Sequence, residues 1–375
     1  MNRVLSSILN YIKTTDKLLF LLTLSTTGYG LLILWGVLDA FDSGLRGLYI
    51  QMAGAGLGLI CAIILSKFDY KLLGKLWKLH VPLAYALVLV TFIIGYGRAG
   101  ADDINWIALP GGASLQPSEF LKISFILSFA YHIDQVKDHL NAPLTLLPLC
   151  LHGAVPMLII HFQGDDGTAV VFLFIFIAML FSAGLSIRYI AAAAGLALVS
   201  LPLMWNFVLN NDQKQRFQAV FTPGIDPLGI EYQQNSGLIS IGSGQLSGIG
   251  IFSPHRFVDE IQNDFIFAFI GESLGLVGCV AALVLIFAIA SKVLFISRMS
   301  KDTLGFSICI GIFTMISVQT IINVGMCLKL LPVIGITLPF FSKGGSSVLS
   351  LYLAIGLALS VYMHNNDSLF LDKNY

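Results

Sequence analysis

Three stretches of this chain set ionisable side chains into apolar surroundings. By the mildest scale each charge there costs about 2.5–3.5 kcal/mol, so each is a candidate functional site. The first is Gln116-Pro117-Ser118-Glu119-Phe120-Leu121-Lys122. Proline suits the first turn of a helix, where its missing N–H is no loss. Glu119 and Lys122 are then i and i+3 on one face, within reach of an ion pair. Such a pair can orient a helix or form the charged wall of a substrate cavity. The second is Gln163-Gly164-Asp165-Asp166-Gly167-Thr168. Adjacent carboxylates between glycines suit the positive end of a following helix. Capping explains one of them, and the pair Asp165 and Asp166 is also a weak candidate for a divalent cation held by oxygen ligands. The third runs from Asn263-Asp264-Phe265 to Gly271-Glu272. Asp264, Ala268 and Glu272 fall on one helical stripe. Asp264 reads either as an N-cap or as a general base at a membrane–water boundary.

The elements that hold these groups are membrane helices. A spanning helix needs about 20 mostly apolar residues. About ten segments qualify, centred on Leu18–Leu38, Leu48–Leu65, Val81–Tyr96, Ser118–Ile133, Pro143–Phe162, Thr168–Ala183, Ile187–Leu209, Phe265–Phe295, Leu304–Leu328 and Ser346–Met363. The expected fold is all-α: one polytopic membrane domain over residues 1–375, with a long extracellular loop, about 210–263, between helices 7 and 8. Basic residues mark one side: Arg3, Lys13 and Lys17; Lys67, Lys71, Lys75 and Lys78; Lys292, Arg298 and Lys301. By the positive-inside rule that side is the cytoplasm, with both termini on it. Three long loops then share the outer face, which is where loops carrying function concentrate. The basic N-terminal stretch reads as the flank of a first helix that stays, not as a cleaved signal.

Composition narrows the class further. Of 375 residues 56% are hydrophobic and 11% charged, against about 25% charged in soluble domains. An ordinary soluble enzyme is excluded, and so is a disordered chain. Net charge is zero, so no electrostatic footprint points to nucleic acid. Cys61, Cys150, Cys279, Cys309 and Cys327 form no CxxC pair and read as small apolar packing residues. Gly54/Gly58 and Gly271/Gly275 carry helix-packing spacing. Gly242-Ser243-Gly244 and Gly248-Ile249-Gly250 lack the strand and lysine of a nucleotide loop and read as a compact surface loop.

Taken together, these blocks resemble the SEDS (RodA/FtsW/SpoVE) family of bacterial cell-wall proteins. The resemblance rests on Asn105-Trp106-Ile107, Gln116-Pro117-Ser118-Glu119 with Lys122, Gln163…Asp165…Gly167-Thr168, and Asp264-Phe265-Ile266-Phe267-Ala268 with Gly271-Glu272. It continues through Asn323-Val324-Gly325-Met326, Leu330-Leu331-Pro332, Gly335, Leu338-Pro339-Phe340, Ser342 and Gly344-Gly345-Ser346-Ser347. The loop run Asp226-Pro227-Leu228-Gly229, Tyr232-Gln233 and Ile241-Gly242-Ser243-Gly244 is also similar. The chain departs from the family pattern at Gly164, Asp166, Ser273, Lys329, Thr337 and Lys343.

The resemblance implies a ten-helix peptidoglycan glycosyltransferase of the cytoplasmic membrane. It would polymerise the polyprenyl-linked lipid II beside a class B penicillin-binding protein. Asp264 takes the family's catalytic position, and Glu119, Lys122 and Asp165 its charged cavity. An acceptor hydroxyl needs a base, whereas pyrophosphate leaves without a general acid, unlike the two-carboxylate chemistry of glycosidases. Lys343, Arg216, Arg256 and Lys122 are the candidates for steadying pyrophosphate charge; a divalent cation, Mg or Mn, is the expected cofactor. Chain length points to the elongation role, with division and sporulation beside it. A lipid II flippase and a non-catalytic scaffold are the competing readings.

Overall fold

The computed structural model describes residues 11, 13–97, 103–209, 211–222, 224, 229 and 231–371. Arg3 of the basic N-terminal cluster, and Asp226, Pro227 and Leu228 of the loop motif, lie outside the described residues. The helices are α1 (Lys17–Ala40), α2 (Arg46–Ser66), α3 (Tyr70–Lys75), α4 (Trp77–Ile94), α5 (Pro117–Val136), α6 (Pro143–Phe162) and α7 (Asp166–Ser182). They continue as α8 (Ile187–Leu203), α9 (Asn211–Phe221), α10 (Tyr232–Ser243), α11 (Ile266–Met299), α12 (Thr303–Cys327) and α13 (Gly345–Leu371). A two-residue hairpin, β1 (Ile107–Ala108) with β2 (Ser114–Leu115), precedes α5.

The fold is a polytopic helical membrane protein, as expected. Among the described residues 8 helices are long and apolar enough to cross a membrane. The shorter α7 and the charge-bearing α5 complete the ten expected segments. Helices α12 and α13 form the buried centre, while α2, α4 and α6 turn most of their surface outward. That outward face is apolar because its solvent is lipid. Cys150 is exposed on it, and Cys279, Cys309 and Cys327 are buried, all as free thiols. Gly54 and Gly58 act as their spacing predicts: a Cβ at either would lie within 2.8 Å of α13, at Gly345 or Tyr352.

Polar ties show that the basic loops gather at one end of the bundle. Lys71 pairs with Asp302 at 2.9 Å, and Lys292 with Asp16 at 2.8 Å. Asn365, near the end of α13, accepts from Lys301 N at 3.2 Å. The starts of α1 and α12 and the end of α13 therefore share that end.

At the opposite end α11 departs from expectation. Its 34 residues would run about 51 Å as a straight helix, well beyond a bilayer core. Gly275 breaks it, with φ 63° and ψ −160°, a conformation that belongs almost only to glycine. The break frees backbone groups, and the segment 244–250 satisfies them. Leu276 N donates to Gln245 O at 2.8 Å, and Val277 N to Leu246 O at 3.2 Å. Ile249 N and Gly250 N donate to Glu272 O and Ser273 O, both at 2.9 Å. The glycine-rich run is thus no surface loop: Gly242 and Ser243 end α10, and the rest is sewn into a helix. Gly275 serves this break rather than a helix–helix seam. Gly275→Ala is expected to destabilise the protein by at least about 1–3 kcal/mol. Its Cβ would also meet Leu246 C at 2.5 Å. Thermal unfolding in detergent measures the loss, and an unchanged melt would refute the account of the break.

Candidate active site

Gln116 is extended, and Pro117 opens α5. One turn on, Lys122 Nζ donates to Glu119 Oε1 at 2.9 Å, with side chains 1% and 5% exposed. Glu119 Oε2 accepts from Ser350 Oγ of α13 at 2.7 Å. The pair therefore forms as its spacing predicts and also anchors α5 to the central helix.

Asp165 caps α7. Its Oδ1 accepts from Thr168 N at 2.9 Å. Its Oδ2 accepts from Gln116 Nε2 at 3.0 Å and Asn105 Nδ2 at 3.3 Å. Three motif blocks, far apart in the chain, meet on this one carboxylate. Burial pushes the Asp165 carboxyl above the usual carboxylate range, while Thr168 and the Lys122 charge pull it down. Asp166 turns to other partners, His161 Nδ1 at 2.5 Å and Gln213 Nε2. The two acids thus do not share a centre. Among the described residues no group of three or more His, Cys, Asp or Glu side chains converges as a metal cage. Gly167 lets α7 abut the segment 328–344, since a Cβ there would lie 2.1 Å from Ile334 O.

Helix α11 begins at Ile266 with Phe265 at its N-cap position, so Asp264 lies one residue outside the cap. Asp264 is 1% exposed and so is not open to water. Helix α10 covers this point, with Gly237 against the Phe265 ring. The Asp264 carbonyl accepts from Asn323 Nδ2 at 2.7 Å and Cys327 Sγ at 3.7 Å. The same Asn323 amide holds Ile336 O at 2.7 Å. Alongside, Ser342 Oγ donates to Asn263 O at 2.6 Å and accepts from Leu338 N at 2.8 Å. The segment 328–344 is thereby pinned to the start of α11 from both sides.

Lys343 continues this seam. Its backbone N donates to Gln262 O at 2.8 Å and its Nζ to Gln262 Oε1 at 3.2 Å. Burial draws the Lys343 ammonium below its usual range, with Glu260 opposing. Gln51 of α2 grips the neighbouring backbone, donating to Ser342 O at 3.0 Å and accepting from Gly344 N at 2.8 Å. Ser346 Oγ accepts from Gln116 N at 3.2 Å, which links this segment to the Asp165 cluster. Arg216 and Arg256 stand apart. Arg216 is exposed and donates to Val333 O at 3.2 Å. The exposed Arg256 supplies its backbone N to Glu272, at 3.3 Å from Oε1. Glu272 also accepts from Ser240 Oγ at 2.8 Å and lies 3.3 Å from His255 Nδ1, so it fastens α10 and its following loop.

Sequence reasoning missed Gln51, Ser350 and Lys329 as participants. A lone amide in the apolar α2 was the available signal for Gln51; a serine in α13 gave none. Lys329 adopts φ 56° and still ties the long loop down, with Nζ 2.6 Å from Glu231 Oε2 and 2.8 Å from Asn235 Oδ1. Lys329→Ala removes the pair and keeps the strain; Lys329→Gly removes both, regaining about 1 kcal/mol. Both are expected to melt below wild type, glycine above alanine. A melt of Lys329→Ala at or above wild type would show that the tie contributes nothing.

A family model described as cell cycle protein, covering FtsW, RodA and SpoVE, matches residues 16–367. The chain is 30% identical over 367 residues to a probable peptidoglycan glycosyltransferase FtsW of Geobacter metallireducens, covering 94% of this chain and 96% of that one. It is 31% identical over 363 residues to stage V sporulation protein E of Bacillus subtilis, covering 92% and 96%. With the peptidoglycan glycosyltransferase MrdB of Escherichia coli it shares 29% over 355 residues, covering 93% and 94%. Among solved structures it is similar to a chain of a peptidoglycan synthase complex that coordinates polymerization and crosslinking, with TM-score 0.78 and 24% identity over 94% of this chain and 98% of that one. The rod shape determining protein RodA of Thermus thermophilus gives TM-score 0.67 at 23% identity, covering 93% and 96%. At these identities the two structures speak for the fold.

Proposed function

The chain belongs to the FtsW/RodA/SpoVE family, and from that membership we propose that it is a peptidoglycan glycosyltransferase polymerising lipid II. The observation that carries this reading is the placement of Asp264. A buried acidic residue just outside the N-cap of α11 sits where the long loop, α12 and the segment 328–344 meet. Buried acids at such junctions are functional-site candidates.

In the proposed reaction Asp264 takes the proton of the acceptor sugar's 4-hydroxyl. The hydroxyl oxygen bonds to the donor's anomeric carbon with inversion. The bond from that carbon to pyrophosphate breaks, and the polyprenyl pyrophosphate leaves as the anion. Lys343 follows Ser342, which holds Asn263, and is our candidate for steadying that anion electrostatically. Lys122 is committed to Glu119, so the pair and Asp165 act as the wall that fixes α5 and α7. Arg216 and Arg256 lie on the outer loop and suit the approach of the pyrophosphate rather than the chemistry. A Mg or Mn ion would be held by the substrate's phosphates with one or two carboxylates of the site, and would help neutralise the pyrophosphate charge.

The same reading proposes a location and a partner. The bundle end with the basic loops faces the cytoplasm by the positive-inside rule, both termini with it, in the bacterial cytoplasmic membrane. A class B penicillin-binding protein would supply crosslinking. Elongation remains our first cellular role beside division and sporulation, and complementation of strains lacking each function separates them. The test of the activity is polymerisation of purified lipid II by the purified protein, with and without that partner and a divalent cation. Glycan strands are the expected result. Their absence under every condition would overturn the transferase and leave the flippase or scaffold.

A further inference from the structure

Two histidines that the proposed reaction does not use face each other between α5 and α6. His132 Nδ1 lies 3.1 Å from His152 Nδ1, and the rings stack at 5.3 Å between centroids. His152 is held firmly. Phe125 and Phe129 meet its ring edge-on at 5.8 and 5.3 Å. Its Nε2 lies 3.1 Å from Ser128 Oγ, whose hydroxyl donates to Phe125 O at 3.2 Å. With its proton committed there, Ser128 accepts from His152 Nε2–H. This leaves the Nδ1 lone pair of His152 aimed at His132. Both histidines are half-buried, on the flank where α5 meets α6.

We infer that His132 and His152 form a two-imidazole site for a borderline divalent transition metal such as Zn²⁺, bridging α5 to α6. The argument is geometric. Tetrahedral zinc with Zn–N of 2.0–2.1 Å places two ligand nitrogens about 3.3–3.4 Å apart. The observed 3.1 Å therefore needs a shift of only a few tenths of an ångström. Imidazole nitrogens suit Zn, Cu and Ni. Ser128 supplies the outer hydrogen bond that sets the ligand tautomer, as is usual for metal-bound histidine. On binding, the proton shared between the two Nδ1 atoms leaves that position and His132 carries it on Nε2 instead. Both rings then coordinate as neutral imidazoles with no net proton release. Water or a solute ligand completes the coordination.

The site lies on α5, the helix that carries Glu119 and Lys122, so an occupied bridge would hold that helix against α6. It does not depend on the glycosyltransferase reading, and its test reads metal rather than glycan. Tag-free protein in detergent is titrated with Zn²⁺ calorimetrically and with Co²⁺ by visible absorption. One equivalent is expected to bind, with a nitrogen-ligated Co²⁺ spectrum and a raised thermal midpoint. His132→Gln and His152→Gln should each weaken binding by at least about 10- to 100-fold, the range seen when even an outer partner of a ligand is lost. Ser128→Ala should weaken it less. His139→Gln, an exposed neighbour, should change nothing. His132→Cys keeps a ligand at the position and should restore Co²⁺ binding with a thiolate charge-transfer band. No saturable binding by the wild type, or equal binding by the double His132→Gln/His152→Gln variant, would overturn the site.

Discussion

Asp264→Asn is expected to lower polymerisation of lipid II by about 10²- to 10⁴-fold, the range for loss of a positioned general base. Asparagine keeps the size of the side chain and removes only its basicity. The backbone carbonyl of residue 264 accepts from Asn323 and Cys327, contacts that survive the change. Asparagine also keeps a polar oxygen where the carboxylate had one. The thermal midpoint should therefore stay near that of the wild type while glycan strands disappear. Strand synthesis above about a tenth of the wild-type rate in a well-folded variant would remove Asp264 from the role of base.

The second large effect concerns stability. Lys122→Met should destabilise the protein by about 3–5 kcal/mol, because it strands a buried carboxylate. Glu119 would keep Ser350 Oγ but lose its only ion-pair partner among those described. The double variant Glu119→Gln/Lys122→Met should recover most of the loss, since it removes both charges. Thermal unfolding of the two variants in one detergent decides the point. A single variant as stable as wild type, or a double variant worse than the single, would mean that the pair does not hold α5. If the double variant folds yet polymerises poorly, the pair also shapes the cavity, which stability alone does not report.

Residue periodicity and turn chemistry made much of this molecule legible before its structure. Helical spacing predicted the Glu119–Lys122 pair, and glycine flanks with adjacent acids predicted the cap at Asp165. Both signals are local, so a linear reading finds them. The break in α11 was not legible, because the apolar run from Ile266 to Met299 is continuous. Its cause is a segment some thirty residues upstream, visible only once Gln245 and Leu246 reach Leu276 and Val277. That Asp264 is buried was not legible for a similar reason. Its burial comes from α10 and from residues 328–344, elements brought over it by the tertiary fold. Asp166 illustrates the limit at the scale of one residue: its neighbour caps a helix, while it reaches across to Gln213.

Chain order gives the broken helix a consequence for biogenesis. Residues 244–250 precede Gly275 in the sequence, so a ribosome completes them before the segment they repair. If they are exported first, in the proposed orientation, they already wait at the outer surface when Ile266–Met299 enters the bilayer. The carbonyls and amides freed at the break then meet their partners during insertion. Reversing the order, by circular permutation that places 244–250 after α11, would leave that backbone unpaired in lipid while synthesis continued, a cost of several kcal/mol for each group. Such a permutant should insert poorly even though its finished contacts could all be the same.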